Sequence, residues 1–277
     1  MYRVSSRFSK YLLLYGIRGL HQLHLLEQFR IKVKLFFGVH FSIDLPAHAD
    51  IFLYCAKVSP SDLLLQQYLN NFLQEERVFF DIGASIGYYS LLVSKLLDNS
   101  GKIIAVEPSK IAFSILQDNT VGHRNIQLFN LAIGDANKSC TIHEFPTRYN
   151  EYNTLQVDDF IKGSKWFAGN QPTQRNIQMK RLDRLIEELN VVPDLIKVDI
   201  EGSEERLVSG MLKTLSQYQP DLIFRYWPVN RSAATQLATF KKLQHWGYEI
   251  YAMDINQKIP FHQLSDYKFE YLLLKTK

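Results

Sequence analysis

The 277-residue sequence contains little cysteine, no long apolar run and only a small excess of one charge. Its two cysteines, Cys55 and Cys140, make neither a metal-ligand spacing nor a disulfide framework. This excludes a small disulfide-stapled domain and is typical of a reducing compartment. The most apolar early run ends before Gly16 and Arg18, whereas a membrane span needs about 20 apolar residues. No small-residue cleavage site follows that run, so we expect neither a transmembrane helix nor a signal peptide.

The signatures of a metal site and of a serine nucleophile are missing as well. The eight histidines show no ligand spacing, and no Gly-x-Ser-x-Gly motif occurs, so we predict no metal and no serine hydrolase. What the sequence does have is a hydrophobic fraction of 46%, which is typical of a globular protein. The chain is long enough to bury a full core without disulfides.

The charge that the sequence carries is concentrated at its amino-terminal end. Of the net +4, residues 1–40 hold +6, from seven Lys or Arg against the single acid Glu27, which leaves −2 for the remainder. Two interpretations stay open: a solvated basic face, or a peripheral contact with an anionic surface such as lipid head groups or acidic glycans. We therefore predict a cytoplasmic protein, either free or peripheral at the inner membrane face, and leave its oligomeric state open. Because the cations cluster at one end rather than along a groove, no nucleic-acid partner is expected.

Hydrophobic spacing divides the chain into an N-terminal appendage, residues 1–58, and a larger domain, residues 59–277. In the appendage it predicts a helix over about 8–29, a hairpin over 31–45 and a third strand over 51–55. Ser59 followed by Pro60 and Asp62 is typical of a helix start.

From Val78 onward, short apolar strands alternate with helices. Strands are predicted at 78–82, 102–106, 126–131, 195–200, 221–226, 248–253 and 269–274, and helices at 86–97, 109–121, 182–189, 203–215 and 233–245. This alternation predicts an α/β fold with a mostly parallel, seven-stranded sheet and helices on both faces. Residues 138–179 break the rhythm and are predicted to form a long irregular insertion.

A glycine-bearing segment, Asp81-Ile82-Gly83-Ala84-Ser85-Ile86-Gly87, lies where the first of these strands becomes a helix. Gly83 permits a sharp turn and a close approach of backbone amides to a ligand, and a helix N-terminus favours negative charge. Glu107 ends the next strand, twenty residues after Gly87, where an acid can accept hydrogen bonds from both ribose hydroxyls. Each feature alone has a plain structural explanation, but together they predict a ribose-bearing cofactor.

These residues and three later blocks resemble the FkbM-type methyltransferases. The later blocks are Asn125–Leu128 with Ala132–Asp135, then Arg181–Asp183, and then Lys197–Glu204. The resemblance covers about residues 50–275 and implies a class I, Rossmann-like fold that binds S-adenosylmethionine, with Asp81 meeting the ammonium group of its methionine moiety. The cofactor contacts that it implies are Asp81, Gly83, Ala84, Ser85, Gly87, Glu107 and, near the adenine, Asn130. The sequence departs from the family at Arg225, where an acid is common.

The resemblance also implies methyl transfer to a hydroxyl oxygen of a small molecule, a sugar or a glycan or glycolipid. Asp199 and Glu201 end the fourth strand, at the sheet edge where ligands of open α/β folds bind. We predict that one of them takes the hydroxyl proton or orients the acceptor. A structural role is the alternative, because Ser203 and Glu204 suit a helix start. The insertion's aromatic residues either wall the acceptor site or anchor the insertion to the core; they are Tyr149, Tyr152, Trp166 and Phe167.

Two other functions stay open. One is a catalytically silent methyltransferase-like module that binds a partner or a membrane through the basic segment. The other is a nicotinamide-dependent oxidoreductase, but its Gly-x-Gly-x-x-Gly fingerprint differs from the Gly-x-x-x-Gly of this chain.

Overall fold

A computed structural model describes residues 7–22, 29–73, 76–98, 100–146, 149, 153–155, 165–200, 202–226, 233–253, 257–267 and 270–276. Its helices are α1 (Arg7–Gln22), α2 (Ala49–Tyr54), α3 (Pro60–Phe72), α4 (Tyr88–Leu96), α5 (Lys110–Thr120), α6 (Lys165–Gly169), α7 (Leu182–Leu189), α8 (Glu204–Ser209), α9 (Leu212–Gln217), α10 (Ala233–His245) and a 3₁₀ helix (Phe261–Asp266). Its strands are β1 (Phe29–Lys34), β2 (His40–Leu45), β3 (Val78–Ile82), β4 (Lys102–Val106), β5 (Ile126–Phe129), β6 (Ala132–Ile133), β7 (Lys138–Glu144), β8 (Thr173–Lys180), β9 (Leu195–Val198), β10 (Asp221–Arg225), β11 (Tyr248–Ala252), β12 (Gln257–Lys258) and β13 (Tyr271–Thr276).

The central sheet has eight strands in the order β12-β11-β13-β10-β9-β3-β4-β5. Strands β10, β9, β3, β4 and β5 pair in parallel, and β13 lies antiparallel between β10 and β11. The predicted α/β fold with a mostly parallel sheet is therefore confirmed, and the two-residue β12 is the eighth strand. Because the five neighbouring strands run in one direction, their carboxyl ends form a single edge of the sheet.

The two faces of the sheet pack against separate cores. One core joins Phe79 of β3 and Leu91 of α4 to Phe41 and Ile43 of β2, so strands on both sides of residue 58 share it. The backbone of Ser42 also exchanges two hydrogen bonds with the Asn119 side chain on α5, at 2.6 and 3.1 Å. The division into an appendage and a main domain stays a prediction, but the packing attaches the first segment firmly to the sheet. Within the described part of the chain, no helix is long and apolar enough to cross a bilayer.

The predicted strand over 51–55 is wrong, because this segment is the helix α2. The run of six apolar residues over 51–56 is too short for periodicity to distinguish helix from strand. Asp50 lies in the first turn, and Cys55 ends the helix with φ of 58°. The Lys10 ammonium group of α1 donates to the Phe52 carbonyl at 2.7 Å, so α2 is fixed by a contact that is distant in sequence.

The predicted helix over 203–215 is two helices, α8 and α9. The break falls at Gly210, where an added Cβ would lie 1.9 Å from the Gly134 carbonyl oxygen. This close approach of two backbone segments requires glycine and interrupts the helix.

The prediction that residues 138–179 are irregular is wrong for residues 138–144 and 173–179, which form strands. Strands β7 and β8 pair antiparallel from Lys138↔Met179 to Glu144↔Thr173, and β6 pairs with β8 to form a three-stranded sheet. We call the β7–β8 pair the arm. Its strands were hard to recognise because only Ile177 and Met179 of β8 are buried, so most of that strand is polar.

Candidate cofactor and acceptor site

A cavity of about 480 Å³ lies at the carboxyl ends of β3, β4, β9 and β10. This volume is within the range of small-molecule sites, and the location is the one expected for ligands of an open α/β sheet. The first segment contributes Arg18 and residues 46–51 to the wall, and the arm side contributes Ile142 and residues 153–155. The cavity thus combines the sheet edge, the basic segment and the arm.

The glycine turn after β3 is held by packing and by its own hydrogen bonds. Gly83 has φ of +79°, and a Cβ added there would lie 2.0 Å from the Asp199 carbonyl oxygen. The amides of Gly83 and Ala84 donate to the Val106 carbonyl at 2.9 and 3.0 Å. These two amides therefore bind the neighbouring strand β4. Gly83, Ala84 and Ser85 all line the cavity.

Gly87, the second glycine of the turn, begins α4 with φ of +95°. An added Cβ would lie 2.6 Å from Leu116 Cδ1 on α5, so Gly87 allows close packing between α4 and α5. Its contact with the cofactor stays a prediction.

Glu107 is a buried carboxylate that lines the cavity at the end of β4. Its Oε2 accepts from the Ser85 amide and its Oε1 from the Ser109 amide, both at 2.8 Å. A carboxylate oxygen can accept two hydrogen bonds, so each oxygen keeps one acceptor position. Burial raises the pKa of Glu107 to about 7, although the two amides partly offset this effect.

A row of alternating charges crosses β3, β9 and β10, and three of its members line the cavity. It consists of Asp81, Lys197, Asp199, Arg225 and Glu270, and we call it the charge ladder. The Lys197 ammonium group lies 3.0 Å from Asp81 Oδ1 and 3.6 Å from Asp199 Oδ2, and Arg225 lies 3.4 Å from Asp199 and 3.1 Å from Glu270. Burial disfavours the charge on Lys197, but Asp81 and Asp199 outweigh it and raise the pKa of this ammonium group.

Within the ladder, Asp81 and Asp199 differ in what they offer a ligand. Asp81 is fully buried, and its oxygens accept from Lys197 at 3.0 Å and from the Ser90 hydroxyl at 2.7 Å. Asp199 lines the cavity. Burial alone would raise the pKa of Asp199, but Arg225, and then Lys197 and Lys57, lower it below its ordinary value. Asp199 is therefore an ionised carboxylate at neutral pH and a weak base.

Two further residues, Asn130 and Glu201, were predicted to belong to the site. The Asn130 side chain donates to the carbonyls of Glu107 and Pro108 at 2.8 and 3.1 Å, so it positions the backbone that carries Glu107. Its contact with the adenine stays a prediction. Glu201 lies outside the described residues, and its catalytic role also stays a prediction.

The helix α8 follows the Lys197–Glu204 block. It begins after Ser203, whose side chain makes no capping hydrogen bond. Glu204 is buried and accepts from Gln236 at 2.8 Å, which gives it the structural role that was the alternative.

Several cavity residues were missed from the sequence. Lys197 belongs to one of the family blocks, and a lysine within an apolar strand is itself a signal, because burying it requires a partner. Arg225 was seen only as a departure from the family. Lys57 and His48 come from loops that fold over the sheet edge, and no local pattern marks them. Burial lowers the pKa of His48, so its imidazole is neutral at pH 7.

The insertion's aromatic residues pack against one another. The Trp166 ring centroid lies 5.5 Å from that of Phe145 and 5.0 Å from that of Tyr149, and Phe145 also contacts Phe167. This cluster favours the anchoring interpretation. Tyr152 lies outside the described residues. Across the parts of the chain that the structure covers, no group of three or more His, Cys, Asp or Glu side chains could hold a metal ion.

The family model for the methyltransferase FkbM domain matches residues 81–250, which is more than half of the chain. The chain therefore belongs to the FkbM methyltransferase domain family, and the resemblance drawn from the sequence is confirmed. No curated protein matches the chain.

Solved structures of methyltransferases are similar to the chain at low identity. A methyltransferase FkbM from Methylobacillus flagellatus is 17% identical, with a TM-score of 0.45 over 82% of this chain and 52% of that one. The chain thus spans about half the length of that structure. A protein from Streptococcus mutans assigned as a methyltransferase, in complex with SAH, is 10% identical, with a TM-score of 0.45 over 80% of this chain and 100% of that one. The family assignment rests on the family model.

Proposed function

We propose that the protein transfers a methyl group from S-adenosylmethionine to a hydroxyl oxygen of a small molecule, a sugar or a glycan or glycolipid. When bound, S-adenosylmethionine supplies a methyl group on a positively charged sulfur. The task of the chain is then to hold the two substrates together, to align the acceptor oxygen and to receive the hydroxyl proton.

The observation that carries this proposal is Glu107. Its buried carboxylate lines the cavity, is fixed by two backbone amides and keeps one acceptor position on each oxygen. Two vicinal hydroxyls of a ribose are donors that suit these positions, as in other nucleotide-binding α/β folds. The residues present therefore fit the nucleoside part of the cofactor.

The amino-acid end of the cofactor carries an ammonium and a carboxylate group, and the cavity contains a residue for each. We assign the ammonium group to Asp199 rather than to Asp81, because Asp199 lines the cavity whereas Asp81 is fully buried. Lys57 also lines the cavity, and its ammonium group lies 5.3 Å from the centroid of the Tyr89 ring. We assign the cofactor's carboxylate to Lys57 because it brings a positive charge to the same wall.

The acceptor would enter between the first segment and the arm, where Arg18, Asp50 and Thr154 line the cavity. A wall with charges of both signs and a hydroxyl suits a polar acceptor that bears several hydroxyls. Since Asp199 has a lowered pKa, it is suited to orientation rather than to taking the proton. Of the two carboxylates predicted to be catalytic, Glu201 remains the candidate base.

We expect Glu107→Gln to weaken S-adenosylmethionine binding about 100-fold at pH 8, because an amide can no longer accept from both hydroxyls while holding both backbone amides. Isothermal titration calorimetry measures this loss. Because the pKa of Glu107 is raised to about 7 in the ligand-free protein, the carboxylate is ionised above that pH and protonated below it. Wild-type affinity should therefore fall as the pH drops below 7, by up to about tenfold per pH unit.

The variant itself should bind weakly at every pH. Glu187→Gln is the matched control, because Glu187 is an exposed carboxylate paired with Arg184 on α7, and it should bind as the wild type does. A pH-independent wild-type affinity, or wild-type affinity in Glu107→Gln, would contradict the assignment. No binding by the wild type at millimolar cofactor would favour the silent module instead.

Asp199→Asn should separate the two ends of the cofactor. We expect it to weaken S-adenosylhomocysteine binding by about tenfold or more, because a neutral amide replaces a charged acceptor of the ammonium group. Adenosine lacks that group, so its affinity should not change. The same two ligands titrated into Glu107→Gln should both bind more weakly. If Asp199→Asn weakens adenosine and S-adenosylhomocysteine equally, Asp199 does not hold the ammonium group.

A further inference from the structure

The outward face of α1 is apolar, although it lies on the surface. Phe8, Leu12 and Tyr15 are 73%, 59% and 82% exposed. Their spacing of four and three residues places them in one stripe along the helix. An isolated exposed apolar residue needs no explanation, but a contiguous stripe of large side chains is typical of an interaction site.

The stripe faces outward because the opposite face of α1 is fixed. Leu14 and Ile17 are buried in the core, and Lys10 donates to the Phe52 carbonyl of α2 at 2.7 Å. The hydroxyls of Tyr11 and Tyr54 lie 3.3 Å apart along the same helix contact. A rotation that buried the stripe would break these contacts, so the exposed face is a consequence of the packing.

Exposed cations accompany the stripe in the first segment. Arg7 and Arg18 flank the stripe on α1, and Lys32 and Lys34 are exposed on β1, the strand that follows α1 in the chain. The acid that the structure describes between residues 7 and 45 is Asp44, which is buried and paired with Arg30 at 2.8 Å. The described part of this segment therefore presents cations to a partner, and its one acid is already neutralised.

We propose that α1 docks the protein on an anionic lipid bilayer, with the Phe8–Leu12–Tyr15 stripe in the head-group region and the flanking cations on the lipid phosphates. A helix with an outward apolar stripe and basic flanks binds in this way by adding apolar burial to attraction for anionic lipid. A second copy of the chain would bring the same cations face to face, and like charges repel. The charge therefore selects the lipid surface over self-association.

The docking helix also reaches the candidate site. Arg18, which follows Tyr15 by three residues, lines the cavity. Seating α1 on a membrane would thus bring one wall of the cavity close to the lipid head groups. This step, which rests on the proposed function, narrows the acceptor to hydroxyls that the membrane surface presents, such as those of a lipid-borne glycan.

Vesicle flotation tests the docking directly. The full chain is mixed with vesicles of phosphatidylcholine alone, or of equal parts phosphatidylcholine and phosphatidylglycerol. We expect binding to the anionic vesicles, weakened by added salt, and little binding to the neutral ones. Combining Phe8→Ser, Leu12→Ser and Tyr15→Ser should reduce the bound fraction about tenfold or more.

The control variant carries Val121→Ser and Val192→Ser, at positions that are 79% and 53% exposed far from α1 in sequence, and it should bind as the wild type does. Thermal unfolding of both variants should match the wild type, because none of the five side chains is buried. Equal vesicle binding by the stripe variant and the wild type would overturn the proposal. So would a stripe-dependent dimer, seen by light scattering, without vesicle binding. Titration of S-adenosylhomocysteine keeps this outcome separate from a failure of the proposed function, because the stripe variant should retain wild-type affinity.

Discussion

Lys197→Met should lower the free energy of unfolding by about 3–5 kcal/mol, because it removes the cation between two carboxylates in the charge ladder. Lys197 is 1% exposed and lies 3.0 Å from Asp81 and 3.6 Å from Asp199. Methionine fills a similar volume, so the lost unfolding free energy reports the missing charge and not a cavity. Asp81 keeps its bond with the Ser90 hydroxyl but loses its cationic partner in the core.

Urea denaturation monitored by tryptophan fluorescence gives the unfolding free energy. The matched control is Lys258→Met, because Lys258 is exposed where it pairs with Glu249 and should contribute little to stability. Adding Asp81→Asn to Lys197→Met should recover part of the loss, since the buried charge is then gone. If Lys197→Met costs no more than Lys258→Met, the ladder does not stabilise the fold.

The pH dependence of this variant has a definite sign. In the wild type the pKa of Lys197 is raised and that of Asp199 is lowered, so the pair is fully charged at neutral pH. In Lys197→Met, Asp199 keeps Arg225, but the uncompensated Asp81 carboxylate binds a proton more readily in the folded state than in the unfolded one. Folding is then favoured as the pH falls, and the difference in stability from the wild type should shrink between pH 7 and pH 5.

The fold was predictable where local signals and tertiary packing agree. The strands at Val78 and Leu195 are short and mainly apolar, and α3 begins after Ser59, whose side chain accepts from the Asp62 amide at 3.1 Å. Prediction failed where partners distant in sequence decide. The helix α2 is held by Lys10 of α1, and β8 is a largely polar strand specified by its pairing with β7.

The candidate site was also predictable from the sequence only in part. Glu107 and Gly83 follow from spacing, because a turn after one strand and an acid after the next must meet at a shared sheet edge. The contact of Asp81 with the ammonium group stays a prediction, and sequence spacing does not show that its oxygens accept from Lys197 and Ser90. The contribution of residues 46–51 to the cavity depends on how the first segment folds over the sheet, which no pattern within it records.

Replacing Gly83 should affect both the stability of the fold and the candidate site, and it has the second large expected effect. With φ of +79°, an alanine would adopt a left-handed conformation that costs about 1–2 kcal/mol. Its Cβ would also lie 2.0 Å from the Asp199 carbonyl oxygen, so the end of β9 must move. We expect Gly83→Ala to lower the unfolding free energy by about 3 kcal/mol or more.

The displacement of β9 should also weaken S-adenosylhomocysteine binding about tenfold or more, because Asp199 moves with its backbone. Gly122→Ala separates the two causes: Gly122 has φ of +90° but no atom within 4 Å of the added Cβ. That variant should lose only the conformational cost of about 1–2 kcal/mol and keep its ligand affinity. If both variants lose the same stability and bind the ligand equally, the backbone conformation alone explains the glycine. A larger loss in Gly83→Ala, accompanied by weaker binding, would mean that the close approach of β3 and β9 sets the position of Asp199 in the cavity.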